Sequence, residues 1–231
     1  ISDGTNSGTQ LVKDINSYIT HVGGSNYYPQ SSNVGYLTCM NNEIYFRADD
    51  GDHGSELWKS NGSSSGTYLI KDIKTFNSTS SSNNPNGSSP FIVQVLRNEV
   101  FFAANDGING QELWKTDGTE NGTEMVIDLI TGSGTGFYYC THCNIVIYDR
   151  LYFRGANSST QDVNLWSTDG TENGTIFVTD FKDFNHGHSH FSLFKFKETL
   201  YADVALFDYS ASMYATERKV ISADIEIDIY L

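Results

Sequence analysis

A twelve-residue phrase, Glu112-Leu113-Trp114-Lys115-Thr116-Asp117-Gly118-Thr119-Glu120-Asn121-Gly122-Thr123, recurs along the chain. Residues 56–67 read Glu-Leu-Trp-Lys-Ser-Asn-Gly-Ser-Ser-Ser-Gly-Thr, and residues 165–175 read Leu-Trp-Ser-Thr-Asp-Gly-Thr-Glu-Asn-Gly-Thr. The chain opens on the same text without its tryptophan, from Ser2 to Thr9. The Asp or Asn of the phrase stands at 3, 61, 117 and 169, at intervals of 58, 56 and 52 residues. Self-similarity at this period points to propeller blades or a repeat array.

Each unit holds four short apolar runs; in the second these are Phe91–Val95, Glu99–Ala104, Gln111–Lys115 and Thr123–Ile130. Arg97-Asn98 makes a tight polar turn between the first two. Asp117 to Gly122 supplies the Gly and Asn that a hairpin needs for positive φ. Runs rich in Val, Ile, Tyr and Phe, divided by Gly, Asn, Asp and Ser, are strand signals. Four antiparallel strands make one blade. The expected architecture is therefore all-β: one domain over 1–231, a four-bladed β-propeller of four-stranded antiparallel blades. The blades are expected at about 36–73, 91–130, 144–181 and 191–225. In the last, Met213-Tyr214 takes the place of Leu-Trp, and Val220–Ile225 reads as the outermost strand. Residues 1–15 form a closing strand that completes the ring, and 226–231 an extra strand.

At 231 residues the chain can bury a core, and its net charge of −14 argues against nucleic acid and anionic membranes as partners. No apolar run reaches the roughly 18 residues of a membrane span. The chain starts inside a repeat, which reads as a mature or trimmed product. Six sequons, at Asn61, Asn77, Asn86, Asn121, Asn157 and Asn173, permit glycosylation in a secreted protein.

The recurring phrase, preceded by Phe-Phe-Ala-Ala-Asn-Asp-Gly and followed by Val-Ile-Asp-Leu, resembles the ELWxTDGT-type repeats of large secreted or surface proteins. The resemblance covers the first three units closely and the fourth poorly. It implies a propeller in an extracellular, non-enzymatic setting, and it carries no catalytic residues.

Trp58, Trp114 and Trp166 occupy equivalent positions and are expected to pack between blades, each worth at most roughly 4–6 kcal/mol by area. The turn Asp is expected to accept hydrogen bonds from backbone N–H groups two residues on. Between second and third strands, Asp49, Asp50, Asp52 and Glu56 in one unit, and Asp106 and Asn109 in the next, offer oxygen ligands around glycine of the kind calcium takes. A plain acidic turn is the competing reading. Cys140 and Cys143 form a C-x-x-C, expected as a disulfide. With His186, His188 and His190 they also make a candidate zinc set. Cys39 is expected to be a buried free thiol. Tyr18, Tyr27, Tyr28, Phe137, Tyr138 and Tyr139 lie in the connections between blades, as a candidate ligand surface of aromatic planes beside carboxylates.

No Gly-x-Ser-x-Gly elbow or P-loop lysine is present. The functional expectation is a non-enzymatic extracellular module that recognises a glycan or surface ligand, with calcium as a candidate aid. The alternatives are a carrier for an apolar or conjugated small molecule, and a structural assembly protein. A homo-oligomer is compatible with each.

Overall fold

A computed structural model of the 231-residue chain describes all residues except 22–26, 76–86, 139–142, 157–162, 181–189, 197–198, 206–217 and 224–231. Among the described residues the regular structure is entirely β. A short hairpin, β1 (Ile19–His21) and β2 (Tyr27–Pro29), lies in the stretch that composition presents as loop. Four antiparallel sheets follow. Sheet one holds β3 (Gly35–Met40), β4 (Glu43–Asp49), β5 (Ser55–Ser60) and β6 (Thr67–Lys71). Sheet two holds β7 (Phe91–Leu96), β8 (Glu99–Asn105), β9 (Gln111–Thr116) and β10 (Glu124–Ile127). Sheet three holds β11 (Ile145–Ile147), β12 (Arg150–Ala156), β13 (Val163–Thr168) and β14 (Ile176–Asp180). Among the described residues sheet four holds three strands, β15 (His190–Phe196), β16 (Thr199–Ala205) and β17 (Arg218–Ala223).

The four sheets fit four blades of simple up-and-down order. Ring closure by residues 1–15 is not seen: residues 9–14 have strand-like composition but join no sheet. In sheet four the segment 218–223 pairs directly with β16, so it is the third strand and not the outermost one. Met213 and Tyr214 lie outside the described residues.

The repeat is visible in detail. The turns between first and second strands are Asn41-Asn42, Arg97-Asn98 and Tyr148-Asp149, all at positive φ between 47° and 64°. Two consecutive residues there give the twist that two-residue hairpins require. The outermost strands carry a bulge at one shared place, opposite Leu57/Trp58, Leu113/Trp114 and Leu165/Trp166. The extra residue in the first two, Ile70 or Val126, is buried.

The hairpin turn closes on itself. Asp117 Oδ1 accepts from the Thr119 N–H at 2.8 Å and the Thr119 hydroxyl at 2.7 Å. The Gly122 N–H donates to Thr119 Oγ1 at 3.0 Å, and the Thr123 hydroxyl donates to the Thr119 carbonyl at 2.6 Å. Asp3, Asn61 and Asp169 repeat the arrangement with Thr5, Ser63 and Thr171. The expected carboxylate-to-backbone bond is therefore present in every Asp copy, and an amide oxygen serves at Asn61.

The chain divides into two compact units, 1–135 and 136–231. In the first, Met40, Tyr45, Leu57, Ile70 and Ile73 of the sheet-one side form one core with Val100, Phe102, Ala104 and Trp114 of sheet two. Trp114 thus packs between sheets as expected. Trp58 forms a smaller cluster with Phe46 and Ala48, covered by Ile15 and Leu69. In the second unit, Phe137 stacks on Phe153 with centroids 5.5 Å apart, and Trp166 meets Phe177 edge-on at 5.7 Å.

Candidate functional site

The loops that join second to third strands can be compared copy against copy, and the comparison separates structure from chemistry. In sheet two, Asn105 Oδ1 accepts from the Gly107 N–H at 2.7 Å. Asp106 Oδ1 accepts from the Ile108 and Asn109 N–H groups, both at 2.8 Å. Sheet one repeats this with Asp49 on Gly51 at 2.8 Å and Asp50 on Asp52 and His53 at 3.0 and 2.8 Å. Even the side-chain contact recurs: His53 Nδ1 meets Asp50 Oδ2 at 2.7 Å where Asn109 Nδ2 meets Asp106 Oδ2 at 2.8 Å. Burial works against charge on Asp50 and Asp106, but these hydrogen bonds outweigh it and hold both carboxyls below the usual range. The Asp50 hydrogen bond raises the His53 pKa, against a smaller opposing effect of burial.

The calcium set is corrected accordingly. Asp49, Asp50, Asp106 and Asn109 spend polar atoms on their own turns. Glu56 is wholly buried. Among the described residues no group of three or more His, Cys, Asp or Glu side chains is placed to hold a metal ion. Glu56 accepts from the Ser88 N–H at 2.7 Å, the Ser88 hydroxyl, and the Lys74 N–H at 3.3 Å. Its job is to pin the connection between sheets one and two onto sheet one. Burial pushes its pKa up to about 7. Glu112 stands at the same place in sheet two, accepting from the Leu129 N–H at 3.1 Å, and Asn164 stands there in sheet three. The clue in the sequence was the recurrence of Glu before Leu-Trp, a charge kept inside a buried strand.

Asp52 is what remains after subtraction. Its counterpart in sheet two is the exposed Ile108. The Tyr18 hydroxyl donates to Asp52 Oδ1 at 2.5 Å, and that bond, with the Asp52 charge, raises the Tyr18 pKa. The Tyr18 ring lies over Gly51, where a Cβ would meet it at 2.6 Å. Tyr18 and Tyr28 are both exposed. The two residues of the pair are 34 apart in sequence and belong to different candidate sets, so the sequence does not pair them.

The rest of the aromatic set is not assembled. Phe137 is buried against Phe153 and cannot face a ligand. Tyr138 is half-buried, its ring 5.8 Å from the Arg154 guanidinium. Nothing is described of the Tyr27 side chain, and Tyr139 lies outside the described residues. Cys143 is disulfide-bonded and so offers no thiolate, which removes it from the zinc set. Cys140, His186 and His188 lie outside the described residues, as does the side chain of His190. Cys39 is a free thiol but is exposed, not buried. Asn61, Asn121 and Asn173 are exposed in their turns; Asn77, Asn86 and Asn157 lie outside the described residues.

A groove of about 340 Å³ opens on the Trp58 face of sheet one. Its walls are almost wholly apolar, with Leu11, Val12, Val34, Leu37, Ile44 and Phe46 among them.

No family model matches the chain, and no characterised protein matches it in sequence. Similar solved structures include an alpha-L-arabinofuranosidase of Clostridium thermocellum, at 13% identity and a TM-score of 0.30, covering 81% of this chain and 71% of that one. Another is a family 117 glycoside hydrolase of the marine bacterium Zobellia galactanivorans, at 12% identity and a TM-score of 0.38, covering 89% and 71%. Both are enzymes. The expectation of a non-enzymatic recognition module, with its carrier and assembly alternatives, is corrected by these neighbours and is not retained. No site residue is transferred from either. Among the described residues no helix is long and apolar enough to cross a membrane.

Proposed function

We propose that the chain acts on a carbohydrate by acid–base chemistry, at the loop end of sheet one. The observation that carries this reading is the exposed Tyr18–Asp52 pair, which the repeat does not require and which has no counterpart beside Ile108. A sugar presents hydroxyls for a carboxylate and C–H faces for an aromatic ring. Asp52 takes a proton from the attacking water as the glycosidic C–O bond breaks, and solvent returns a proton to the leaving sugar oxygen. Tyr18 orients it and keeps its own proton, since the neighbouring carboxylate raises its pKa. Asp50, tied to His53 and two backbone N–H groups, holds the loop in shape. We read the four sheets as blades of a propeller, and the chain as extracellular; the disulfide at Cys143 supports that setting.

The test is release of reducing ends from a panel of polysaccharides and aryl glycosides. Turnover by the wild type, lost in Asp52→Asn and reduced about tenfold or more in Tyr18→Phe, is expected. Absence of turnover on every substrate sinks the reading, and so does activity unchanged in Asp52→Asn.

A further inference from the structure

Strand pairing places Arg47 of β4 opposite Gly35 of β3 and, in sheet two, Ala103 of β8 opposite Phe91 of β7. On the other side Arg47 pairs with Leu57 and Ala103 with Leu113, so the two positions are equivalent. Directly opposed side chains share one face of a sheet. In sheet two that place is taken by a ring and a methyl group. In sheet one the glycine leaves it open and the guanidinium lies along it: a Cβ on Gly35 would come 3.7 Å from Arg47 Nη2. The sheet therefore forms without a cation at this position, and the repeat does not account for Arg47.

Its surroundings supply only part of what a guanidinium needs. The Arg47 guanidinium lies 4.7 Å from the centroid of the Tyr36 ring, and Phe91 of sheet two meets Tyr36 at 6.2 Å. Arg47 is half-buried, and its Nε is buried with no hydrogen-bond partner among the described residues. The lysines of the same two sheets are paired, Lys59 with Glu43 at 3.0 Å and Lys115 with Glu99 at 3.1 Å. Arg47 makes no such pair with any described residue. Residues 22–26 and 76–86 contain no Asp or Glu, so within 1–135 no carboxylate answers the charge. Partly removing a cation from water without a counter-charge is costly, and the guanidinium fork matches the two oxygens of a carboxylate.

Tyr36 gives a second, separate indication. It stands in the bulge between Gly35 and Thr38 with φ at 54°, a left-handed conformation that a bulky aromatic residue seldom enters. A bulge re-aims a side chain, here onto the guanidinium. Strain of this kind is kept at ligand clamps more often than elsewhere. The Tyr36 residue is 37% exposed, so solvent reaches this cluster.

We infer that Arg47, Tyr36 and Phe91 form a binding site for a carboxylate carried on a ring, either a sugar acid or an aromatic acid. Arg47 takes the two carboxylate oxygens through its fork. Tyr36 holds the guanidinium from one side and, with Phe91, offers apolar surface to the body of the ligand. The site uses none of the residues of the hydrolysis reading and is read out by binding, not turnover, so either can fail without the other.

Titration calorimetry at fixed ionic strength tests it, with sodium glucuronate, sodium benzoate, sodium acetate and glucose as probes. Glucuronate or benzoate should bind, acetate more weakly than the better of the two, and glucose not at all. The preferred ring tells a sugar acid from an aromatic acid. Arg47→Gln should weaken binding about tenfold or more, because it keeps the stem and loses the charged fork. Tyr36→Asn provides a second variant that suits the left-handed backbone; it should keep the urea midpoint and weaken binding about threefold or more. Circular dichroism checks that both variants fold. No binding of either ring carboxylate overturns the inference. So does glucose or acetate binding as tightly as the better ring acid, or affinity unchanged in Arg47→Gln or in Tyr36→Asn.

Discussion

The Lys71 ammonium donates to the Thr123 carbonyl at 2.7 Å, joining the outermost strand of sheet one to the turn that ends the third strand of sheet two. A single long side chain thereby spans from one repeat to the next, and Lys13 does the same on Thr67. Lys71→Met keeps the aliphatic stem and removes the charged donor. The expected cost is about 1–2 kcal/mol in urea unfolding. An unchanged midpoint would mean that water replaces the ammonium without loss.

The turn makes a sharper prediction. A Cβ at Gly122 would lie 2.2 Å from the Asp117 carboxylate, inside the ring of bonds that shapes the hairpin. Gly122→Ala should therefore cost more than Thr119→Val, which removes hydroxyl bonds but adds no clash. About 2 kcal/mol or more is expected for the former and about 1 kcal/mol for the latter. Thermal denaturation of the two variants side by side orders them.

Glu56 links stability to pH. Burial raises its folded pKa to about 7 from the ordinary 4.5. A raised folded pKa means the native state binds the proton more tightly than the unfolded chain. The contribution is complete below pH 4.5 and is lost as pH climbs through 7, on the order of 3 kcal/mol in all. Asp72 faces the same carboxyl and adds to the rise. The difference in unfolding free energy between wild type and Glu56→Gln, followed from pH 4.5 to 8, should drift toward the variant. A flat difference would show that Glu56 titrates like a solvated carboxyl.

Phe102 is fully buried in the core between sheets one and two, and its counterpart Phe46 lies in the smaller cluster beside the groove. Phe102→Ala should cost about 3–5 kcal/mol, and Phe46→Ala clearly less, because side chains around an open groove can relax into the space. Equal losses in chemical denaturation would argue that the sheet-one face is as tightly packed as the interior.

Local bonding decided what could be read in advance. The Asp117 turn depends on residues two to six apart, and the Arg97-Asn98 turn on two residues, so the residue types alone define them. Trp114 between sheets follows from its recurrence with Trp58. The exposure of Cys39 is not legible in the sequence, because it depends on whether another sheet covers that side, which no residue near it encodes. Asp49 and Asp106 looked like calcium ligands because composition does not say that backbone N–H groups already occupy their oxygens. The Tyr18–Asp52 contact needed the chain to return over 34 residues. In sheet four the eroded motif gave no anchor, and only the pairing of β17 with β16 showed which strand it is.

Six side-chain hydrogen bonds of the Asp-Gly-Thr hairpin begin and end within eight residues, from Thr116 to Thr123. A cassette so self-sufficient can be copied or transplanted without renegotiating its surroundings. Length change is then channelled into the connections between copies, where doubling a flexible span costs only about 0.6 kcal/mol. The shrinking spacing from one repeat to the next records where such drift was tolerated.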